Sequence, residues 1–220
     1  MDRITIPLHA FEEAPDIAAL VAAADAEMAE LMAATVTITG SAGDDRIEGS
    51  SESEHILGLE GDDRLRGRGG NDTVDGGAGD DRVRGDGGSD LVLGGDGNDR
   101  VEGKGGNDTV DGGAGNDRVK GGDGDDIVMG GAGDDHVWGN RGADRFVFTP
   151  GTGRDKIHDF DHAEDVVDLT AYGLTDIDAV LAAIVQVNAH DSALALPGGD
   201  RLVFDNALPG DFSADDFILA

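Results

Sequence analysis

The sequence predicts an all-β fold in which short strands stack into successive coils, as in a solenoid. Three observations lead to this prediction. A nine-residue unit repeats twelve times over residues 40–147 without an insertion or deletion. Its first position is Gly in every copy, and its eighth position is always apolar, from Ile47 to Phe146. Self-similarity at a short, fixed period is the sequence signature of stacked repeat architectures.

One central copy, residues 94–102, shows how each position suits a stacked fold. Gly94 and Gly97, at positions 1 and 4, allow positive φ angles and therefore a tight turn. The closing triplet Arg100-Val101-Glu102 is polar, apolar and polar, which is typical of a very short strand with one buried face. Because so short a strand is not stable alone, neighbouring copies must share a thin core built from the position-8 side chains.

Position 6 is acidic in every copy and supplies the chemistry of the repeat. It is Asp in all copies except the second, which has Glu54 there and Glu52 in place of the Gly at position 4. A carboxylate beside the carbonyl oxygens of a Gly-rich turn makes an all-oxygen environment, which suits Ca²⁺. Mg²⁺ is less suited because it demands tighter octahedral geometry, and transition metals are disfavoured because neither His nor Cys recurs in the turns. The pattern therefore predicts calcium binding.

The pattern G-G-x-G-x-D-x-U-x, with an apolar residue at U, resembles the RTX (repeat-in-toxin, hemolysin-type) nonapeptide. The resemblance covers residues 40–147 and implies a right-handed parallel β-roll with two nonapeptides per coil and six coils. It also implies about ten Ca²⁺ ions, held between turns of successive coils, with ligands 18 residues apart. The metal ligands that it implies are Asp45, Asp63, Asp72, Asp81, Asp90, Asp99, Asp108, Asp117, Asp126, Asp135 and Asp144. The site between Glu54 and Asp72 departs from the pattern.

The residues at position 7 support a coil of 18 residues. Every second copy has Arg there, with His136 in the last of them. The copies between them carry His, Thr, Leu, Ile or Arg. An 18-residue coil therefore places a row of Arg side chains on the outer face of one sheet and a mixed Thr and apolar row on the other.

Charge and composition exclude several classes of protein. The formal net charge is −31 at pH 7, and the chain contains no cysteine. So acidic a chain repels the phosphates of nucleic acids, and the lack of cysteine excludes a disulfide framework. Residues 40–147 alone carry a net charge of −14. Because about ten Ca²⁺ ions would add roughly +20, we expect metal binding and folding of the repeat to be one event.

Residues 1–39 predict an N-terminal helical cap. After Pro15, the apolar residues from Ile17 to Met32 follow helical spacing, and Pro15 and Asp16 suit the first turn of a helix. The helix either covers the open end of the roll or docks a partner. The segment does not resemble a signal peptide, because acidic residues precede the apolar run where positive charge is expected. No stretch is long enough to span a membrane.

Residues 148–220 lose the repeat and predict a small β-rich C-terminal cap. Asp155-Lys156-Ile157-His158-Asp159-Phe160, followed by Asp165-Val166-Val167-Asp168-Leu169, is similar to the C-terminal region of serralysin-type secreted proteins. In that family this region closes the roll and carries an uncleaved signal for the type I secretion apparatus. The resemblance therefore implies a secreted, extracellular protein that engages this apparatus during export.

The sequence favours a non-catalytic role. His158 and His162 are four residues apart, but a zinc site needs that spacing on a helix and a third ligand, whereas this segment alternates like a strand and a turn. The serralysin catalytic motif and the G-x-S-x-G motif of lipases are both absent from the sequence. The repeat carboxylates already have a ligand role, and no catalytic pair stands out among them.

The leading interpretation is a secreted calcium-binding module that folds when it meets extracellular Ca²⁺. External calcium exceeds the roughly 10⁻⁴–10⁻³ M dissociation constants of extracellular sites, whereas cytosolic calcium does not. The alternative is an adhesin or polysaccharide-binding accessory module that uses an outer face of the roll. Trp138 and His136 either bind a glycan or pack against the C-terminal cap. Exposed apolar positions on one sheet also point to self-association.

Overall fold

A computed structural model describes residues 36–220, which form a parallel β-solenoid of two sheets with little helix. Through the repeats, the chain alternates between the two sheets at every strand and completes about seven turns. Sheet A contains, in spatial order, β1 (Val36–Thr39), β3 (Glu54–Glu60), β5 (Thr73–Ala78), β7 (Leu91–Asp96), β9 (Thr109–Ala114), β11 (Ile127–Ala132), β13 (Arg145–Val147), β15 (Val166–Asp168) and β19 (Phe217–Ile218). Sheet B contains β2 (Arg46–Glu48), β4 (Arg64–Gly69), β6 (Arg82–Gly87), β8 (Arg100–Gly105), β10 (Arg118–Asp123), β12 (His136–Arg141), β14 (Arg154–Ile157), β18 (Arg201–Phe204), β17 (Ser192–Ala195) and β16 (Ile184–Gln186). The predicted all-β roll is confirmed.

The strand register confirms two nonapeptides per coil. Val92 on β7 pairs with Val110 on β9, and Val101 on β8 pairs with Val119 on β10. Each partner is 18 residues further along the chain, so equivalent positions of alternate repeats lie side by side. This register places the position-7 arginines of alternate copies in one row on sheet B.

The strands of the repeats are longer than the predicted triplet. Thr73–Ala78, for example, runs from position 7 of one copy through position 3 of the next. The register pairs Asp75 with Leu93 and then Gly77 with Gly95, and it skips the position-1 residue Gly76. Each strand is therefore two short paired segments joined at a position-1 glycine, where the ladder is interrupted.

The core is a narrow double row of position-8 side chains. From Ile56 to Phe146 each of these side chains is at most 1% exposed. A buried Val contributes roughly 1.5–3 kcal/mol, and each one contacts mainly the coils before and after its own. The predicted shared core is thus confirmed, and its stability accumulates coil by coil.

Glycine at position 4 is required by the close approach of successive coils. Gly97 has a φ of +148°, and a Cβ there would lie closer than 3.0 Å to the carbonyl oxygen of Gly79, one coil earlier. Its N–H donates to the carbonyl oxygen of Ala114, one coil later, at 2.8 Å. Both the backbone conformation and the lack of space exclude a side chain at residue 97.

The C-terminal region extends both sheets and then closes the roll. Strands β14, β15, β18 and β19 continue the parallel ladders, whereas β16 and β17 add antiparallel strands at the end of sheet B. A short helix, α1 (Ile177–Ala183), follows β15, with the Asp176 side chain accepting a hydrogen bond from the Ala179 N–H. Phe204 and Phe217 pack on either side of Phe212, with ring centroids 4.8 and 5.9 Å apart, and cover the end of the core.

The start of the described region already belongs to the roll. Strand β1 lies within the range 1–39 and pairs in parallel with β3, from Val36 with Glu54 to Thr39 with Leu57. The helix predicted after Pro15 lies outside the described residues, so the division into an N-terminal cap, a roll and a C-terminal cap stays a prediction. Within residues 36–220, no helix is long and apolar enough to cross a bilayer.

Candidate metal centre

The acidic residues at position 6 form two columns, one along each edge of the roll. One column lies in the turns that lead from sheet A to sheet B, and the other lies in the turns that lead back. In both columns the carboxylate Oδ1 accepts a hydrogen bond from the backbone N–H of the acidic residue one coil earlier. The Asp81 N–H donates to Asp99 Oδ1 at 2.7 Å, and the Asp90 N–H donates to Asp108 Oδ1 at 2.8 Å. These bonds aim every carboxylate in the same direction.

The other carboxylate oxygen, Oδ2, has no hydrogen-bond partner. It is buried and unpartnered in ten successive position-6 residues: Asp63, Asp72, Asp81, Asp90, Asp99, Asp108, Asp117, Asp126, Asp135 and Asp144. Buried polar atoms in proteins are almost always paired, because a buried charge without a partner costs several kcal/mol. An oxygen that is unpartnered in ten successive turns is suited to accept a group from outside the protein, and a cation would fit there.

In five turns a carbonyl oxygen of the next coil lies beside the orphaned carboxylate oxygen, at Asp63, Asp72, Asp81, Asp99 and Asp117. A Cβ placed on Gly58 would collide with both Asp63 Oδ2 and the carbonyl oxygen of Gly76. A Cβ on Gly94 would likewise lie 2.6 Å from Asp99 Oδ2 and also collide with the Gly112 carbonyl oxygen. The bare Cα of the position-1 glycine in these turns therefore leaves room for oxygen atoms from two coils.

Burial raises the pKa of these carboxyls, and repulsion between carboxylates adds to the effect. The pKa is raised to about 6 for Asp81 and Asp99 and to about 7 for Asp117, Asp126 and Asp144. The hydrogen bond from the backbone N–H works against this shift but does not cancel it. Without a cation, the folded roll thus holds carboxylates in an environment that disfavours their charge.

The donor chemistry of the turns fits a hard cation. Among the described residues, no three His, Cys, Asp or Glu side chains form a group that could hold a metal ion. Each turn from Asp63 to Asp144 supplies one buried carboxylate, so an ion between coils would take most of its ligands from backbone carbonyl oxygens. An all-oxygen donor set of this kind suits Ca²⁺ better than Zn²⁺ or Cu²⁺.

The first turn of each column differs from the others. Asp45 Oδ2 accepts hydrogen bonds from the Ser41 N–H at 2.6 Å and from the Ser41 hydroxyl at 2.9 Å. In the divergent second copy, the Ser50 N–H donates to Glu54 Oε2 and the Ser50 hydroxyl donates to Glu54 Oε1. Protein donors thus occupy the oxygens that are orphaned elsewhere, and the role of Asp45 as a ligand stays a prediction.

The structure adds two acidic residues that the repeat pattern missed. Asp155 continues one column, with its Oδ1 accepting from the Asp135 N–H at 3.2 Å, and Asp165 continues the other, accepting from the Asp144 N–H at 2.9 Å. Asp155 Oδ2 is buried without a partner, and burial and the nearby Asp135 raise the pKa of Asp155 to about 8. The signal was present, because Asp155-Lys156-Ile157 and residues 165–167 repeat the acidic–x–apolar triplet of positions 6–8 after a longer loop.

Position 5 is a second functional position that sequence reasoning missed. Its side chain accepts a hydrogen bond from the backbone N–H of position 5 one coil later. The Asn98 N–H donates to Asp80 Oδ1 at 2.8 Å, and the Asn116 N–H donates to Asn98 Oδ1 at 3.0 Å. The near-restriction of this position to Asp, Asn and Ser was the available signal. These bonds tie the turns together from the solvent side.

The histidines near the C-terminus have structural partners. His158 Nδ1 lies 2.7 Å from Asp205 Oδ2, and its Nε2 lies 2.6 Å from His136 Nδ1. His162 instead packs edge-on against Phe212, so the two histidines of the HxxxH spacing do not converge. Trp138 lies between the His158 ring, at 4.2 Å, and the Lys120 ammonium, at 4.8 Å. Trp138 and His136 thus both stack on His158 of the C-terminal region, which is the contact that the packing interpretation predicted.

Comparison with known families identifies the repeat. A family model described as RTX calcium-binding nonapeptide repeat (4 copies) matches residues 37–58, 57–92, 84–119, 93–128 and 120–157. Together these matches cover more than half of the chain and include both carboxylate columns up to Asp155.

Individual relatives share only parts of their length with this chain. The chain is 41% identical over 75 residues to the endo-1,3-1,4-beta-glycanase EglC of Rhizobium meliloti (strain 1021), which is 34% of this chain and 16% of the glycanase. Among solved structures, the extracellular lipase LipA from Serratia marcescens aligns with a TM-score of 0.43 and 20% identity over 85% of this chain and 40% of the lipase. The AlgE6R3 subunit of the Azotobacter vinelandii mannuronan C5-epimerase aligns with a TM-score of 0.31 and 25% identity over 84% of this chain and 82% of that subunit.

Proposed function

Because the chain belongs to the RTX calcium-binding nonapeptide repeat family, we propose that it is a secreted, non-catalytic module that folds on binding extracellular Ca²⁺. The observation that carries this proposal is the column of buried, partnerless Oδ2 atoms along each edge of the roll. An ion between two turns would satisfy these oxygens and remove the electrostatic cost of burying them. Calcium would then supply the stability that the thin core lacks.

The residues that would hold the ions follow from the two columns. They are the predicted position-6 residues from Asp63 to Asp144, together with Asp155 and with position-1 carbonyl oxygens such as that of Gly112. We propose about ten ions in all, since each gap between successive turns offers one set of oxygens. Roughly twenty positive charges would outweigh the −14 of residues 40–147, so folding would follow calcium with little populated in between.

The calcium requirement explains how such a protein can be exported. With calcium scarce in the cytosol, the acidic repeat would stay unfolded and could pass through the type I secretion apparatus. Outside the cell, millimolar calcium would saturate sites of about 10⁻⁴–10⁻³ M affinity and drive folding. The C-terminal region, whose strands close the roll in this structure, is where we place the secretion signal.

The carboxylates of the roll support a structural role for its chemistry. Their Oδ1 atoms bind the backbone of the neighbouring coil, and with an ion bound at Oδ2 they would have no free atom for acid–base catalysis. The glycanase shares only part of its length with this chain, and we do not extend its activity to the roll. A second candidate function is a polysaccharide-binding accessory module. It is favoured by Arg64, Arg82, Arg100 and Arg118 on the outer face of sheet B, which are exposed and make no salt bridge within residues 36–220.

A calcium titration followed by far-ultraviolet circular dichroism tests the main proposal. We expect a cooperative gain of β-structure at sub-millimolar to millimolar Ca²⁺ and no gain with Mg²⁺ at the same concentrations. Equilibrium dialysis of the folded protein should then recover about ten Ca²⁺ ions per chain. A chain that is fully folded in excess chelator would contradict the proposal, because the core and caps would then suffice without metal.

A further inference from the structure

The outer face of sheet A carries apolar side chains on every second strand. Leu91 and Leu93 occupy positions 7 and 9 of β7, and Ile127 and Met129 occupy the same positions of β11. Leu91 and Ile127 are each 37% exposed. On β3, position 9 is likewise apolar, as Leu57. We call these five residues the apolar stripe.

The strands between the members of the apolar stripe carry Thr at position 7 and Asp at position 9. The register places Asp111 of β9 between Leu93 and Met129. It places Asp75 of β5 between Leu57 and Leu93. Neither Asp makes a salt bridge within residues 36–220. Burial raises the pKa of the Asp111 carboxyl, and a cation beside this carboxylate would reverse the shift.

We propose that the apolar stripe binds a basic, amphipathic α-helix of a partner protein, with the helix axis running across the strands. Neighbouring strands are about 4.8 Å apart, so apolar residues on every second strand are about 9.6 Å apart. Residues seven apart on a helix are separated by about 10.5 Å along its axis. Apolar residues at every seventh position of a helix therefore meet β3, β7 and β11 in turn, with a mismatch of about 2 Å over the three strands.

The spacing and composition of this face disfavour other chain conformations. Side chains on one face of an extended strand repeat about every 6.6 Å and would not fall on every second strand of sheet A. A polyproline II segment repeats about every 9.3 Å, but such segments bind grooves lined by aromatic side chains. Positions 7 and 9 of β3, β5, β7, β9 and β11 carry no Phe, Tyr or Trp. A helix therefore fits this face best.

The charges of the face select a basic helix and disfavour a second copy of this chain. Positions 7 and 9 of the same five strands include Asp75 and Asp111 but no Lys or Arg. Lys or Arg side chains that flank the apolar residues of a helix can reach these two carboxylates. Sheet B has Arg at position 7 of β4, β6, β8 and β10 and would repel such a helix. Two copies packed face to face would instead bury Asp75 and Asp111 without a cation.

Fluorescence anisotropy with a labelled peptide tests the inference on the full chain in excess calcium. The probe is a designed helix of about three heptads, with Leu at the first and fourth position of each heptad and Lys and Ala elsewhere. A permuted peptide has the same composition but breaks the seven-residue spacing of Leu. We expect the unmodified chain to bind the probe about tenfold more tightly than the permuted peptide.

Variants of the apolar stripe locate the binding surface. The triple variant Leu91→Gln, Leu93→Gln, Ile127→Gln should lose about tenfold or more in affinity for the probe, because the apolar area buried by the helix is lost. The control variant Val185→Gln, Val187→Gln, Leu208→Gln removes exposed apolar side chains outside sheet A and should lose less than about threefold.

A second pair of variants tests the charges. The variant Asp75→Asn, Asp111→Asn should bind the probe about threefold to tenfold more weakly, and its binding should depend less on sodium chloride, because two ion pairs to the helix are lost. The control variant Glu164→Gln, Asp178→Asn removes the same charge from exposed residues outside sheet A and should change the affinity less than about twofold.

Four outcomes would overturn the inference. They are no binding of the probe, equal binding of the permuted peptide, an equal loss in both triple variants, and sedimentation of the unmodified chain as a dimer that the Leu91→Gln, Leu93→Gln, Ile127→Gln variant abolishes. The last result would mean that a second copy covers the apolar stripe. Circular dichroism separates these results from a failure of the calcium proposal. A normal calcium-induced transition without probe binding refutes only the docking surface, whereas a chain already folded in chelator refutes only the calcium switch, since probe binding can still be measured.

Discussion

Replacing Asp99 by Asn should change stability in opposite directions with and without calcium. Asp99 is 1% exposed, its Oδ1 accepts the Asp81 N–H, and its Oδ2 has no partner. Asn keeps an oxygen that can accept the Asp81 N–H but removes the negative charge. The variant therefore separates the cost of a buried carboxylate from its value as a metal ligand.

The size of the effect follows from the pKa. Burial raises the pKa of Asp99 from an ordinary 3.8 to about 6, so the folded, metal-free roll disfavours the charged form by roughly two pKa units. At pH 8 this corresponds to about 3 kcal/mol at most, and we expect about 1–2 kcal/mol after screening by water at the roll edge. Without calcium, Asp99→Asn should stabilise the fold by this amount. With calcium, loss of one charged ligand should raise the calcium concentration at the folding midpoint about tenfold.

The assay compares three proteins in two buffers at pH 8. Asp96→Asn is the matched control, because Asp96 lies in the same turn, is exposed and carries the same charge. In chelator, folding would be driven by a stabilising osmolyte such as trimethylamine oxide and followed by circular dichroism. In the second buffer, calcium would be titrated directly.

If Asp99 Oδ2 binds an ion, Asp99→Asn must stabilise the fold in chelator and weaken calcium-induced folding. If Asp99→Asn also destabilised the roll in chelator, the buried carboxylate would not destabilise the metal-free fold. If the calcium midpoint moved equally in Asp96→Asn, the change would reflect net charge rather than a ligand. Either result would refute the assignment of the Oδ2 column to ion binding.

Three further predictions follow from the same structure. In chelator, lowering the pH from 8 to 5 should increase the β-structure measured by circular dichroism. Burial raises the pKa of Asp117 and Asp126 above the unfolded value to about 7, so protonation of these carboxyls favours the folded state. This stability is lost as the pH rises through 7. Val101→Ala should lower the free energy of unfolding in saturating calcium by about 2 kcal/mol, because it leaves a cavity in a fully buried row, whereas Val185→Ala at a site 55% exposed should change it little. Gly97→Ala should lower the free energy of unfolding by several kcal/mol or prevent calcium-induced folding, because φ is +148° and the carbonyl oxygen of Gly79 occupies the space. The control is Gly210→Ala, where a Cβ meets nothing within 4 Å. Unchanged urea midpoints in Val101→Ala or Gly97→Ala, or a loss of β-structure on acidification, would contradict these expectations.

The two columns of carboxylates could be predicted because each copy of the repeat follows the same residue pattern. Position 6 is acidic in every copy, and a constant spacing of 18 residues leaves one way to stack them. Ten of the eleven predicted Asp residues have a buried, partnerless Oδ2, and Asp45 does not. Asp45 differs because the backbone N–H and the hydroxyl of Ser41 both donate to its Oδ2.

Contacts that depend on loops of irregular length could not be predicted from the nine-residue repeat. Asp155 and Asp165 join the columns 20 and 21 residues after their neighbours, because loops of unequal length still deliver their strands to the same ladders. The pairing of β14 with both β12 and β18 achieves this on sheet B. Only the folded chain shows which acidic residue arrives beside the column.

The sequence by itself determined the solenoid, its coil length, the buried apolar row and the oxygen chemistry of its turns. This was possible because every coil of a short periodic repeat has the same residue pattern and therefore the same local structure. The tertiary structure decided which carboxylate oxygens are left without a partner, where the columns end and which arginines keep free donors. The arginine partners depend on residues one coil away, such as Asp86 beside Arg66 or Glu102 beside Arg84, and the partner of Asp45 depends on the turn that brings Ser41 to its carboxylate.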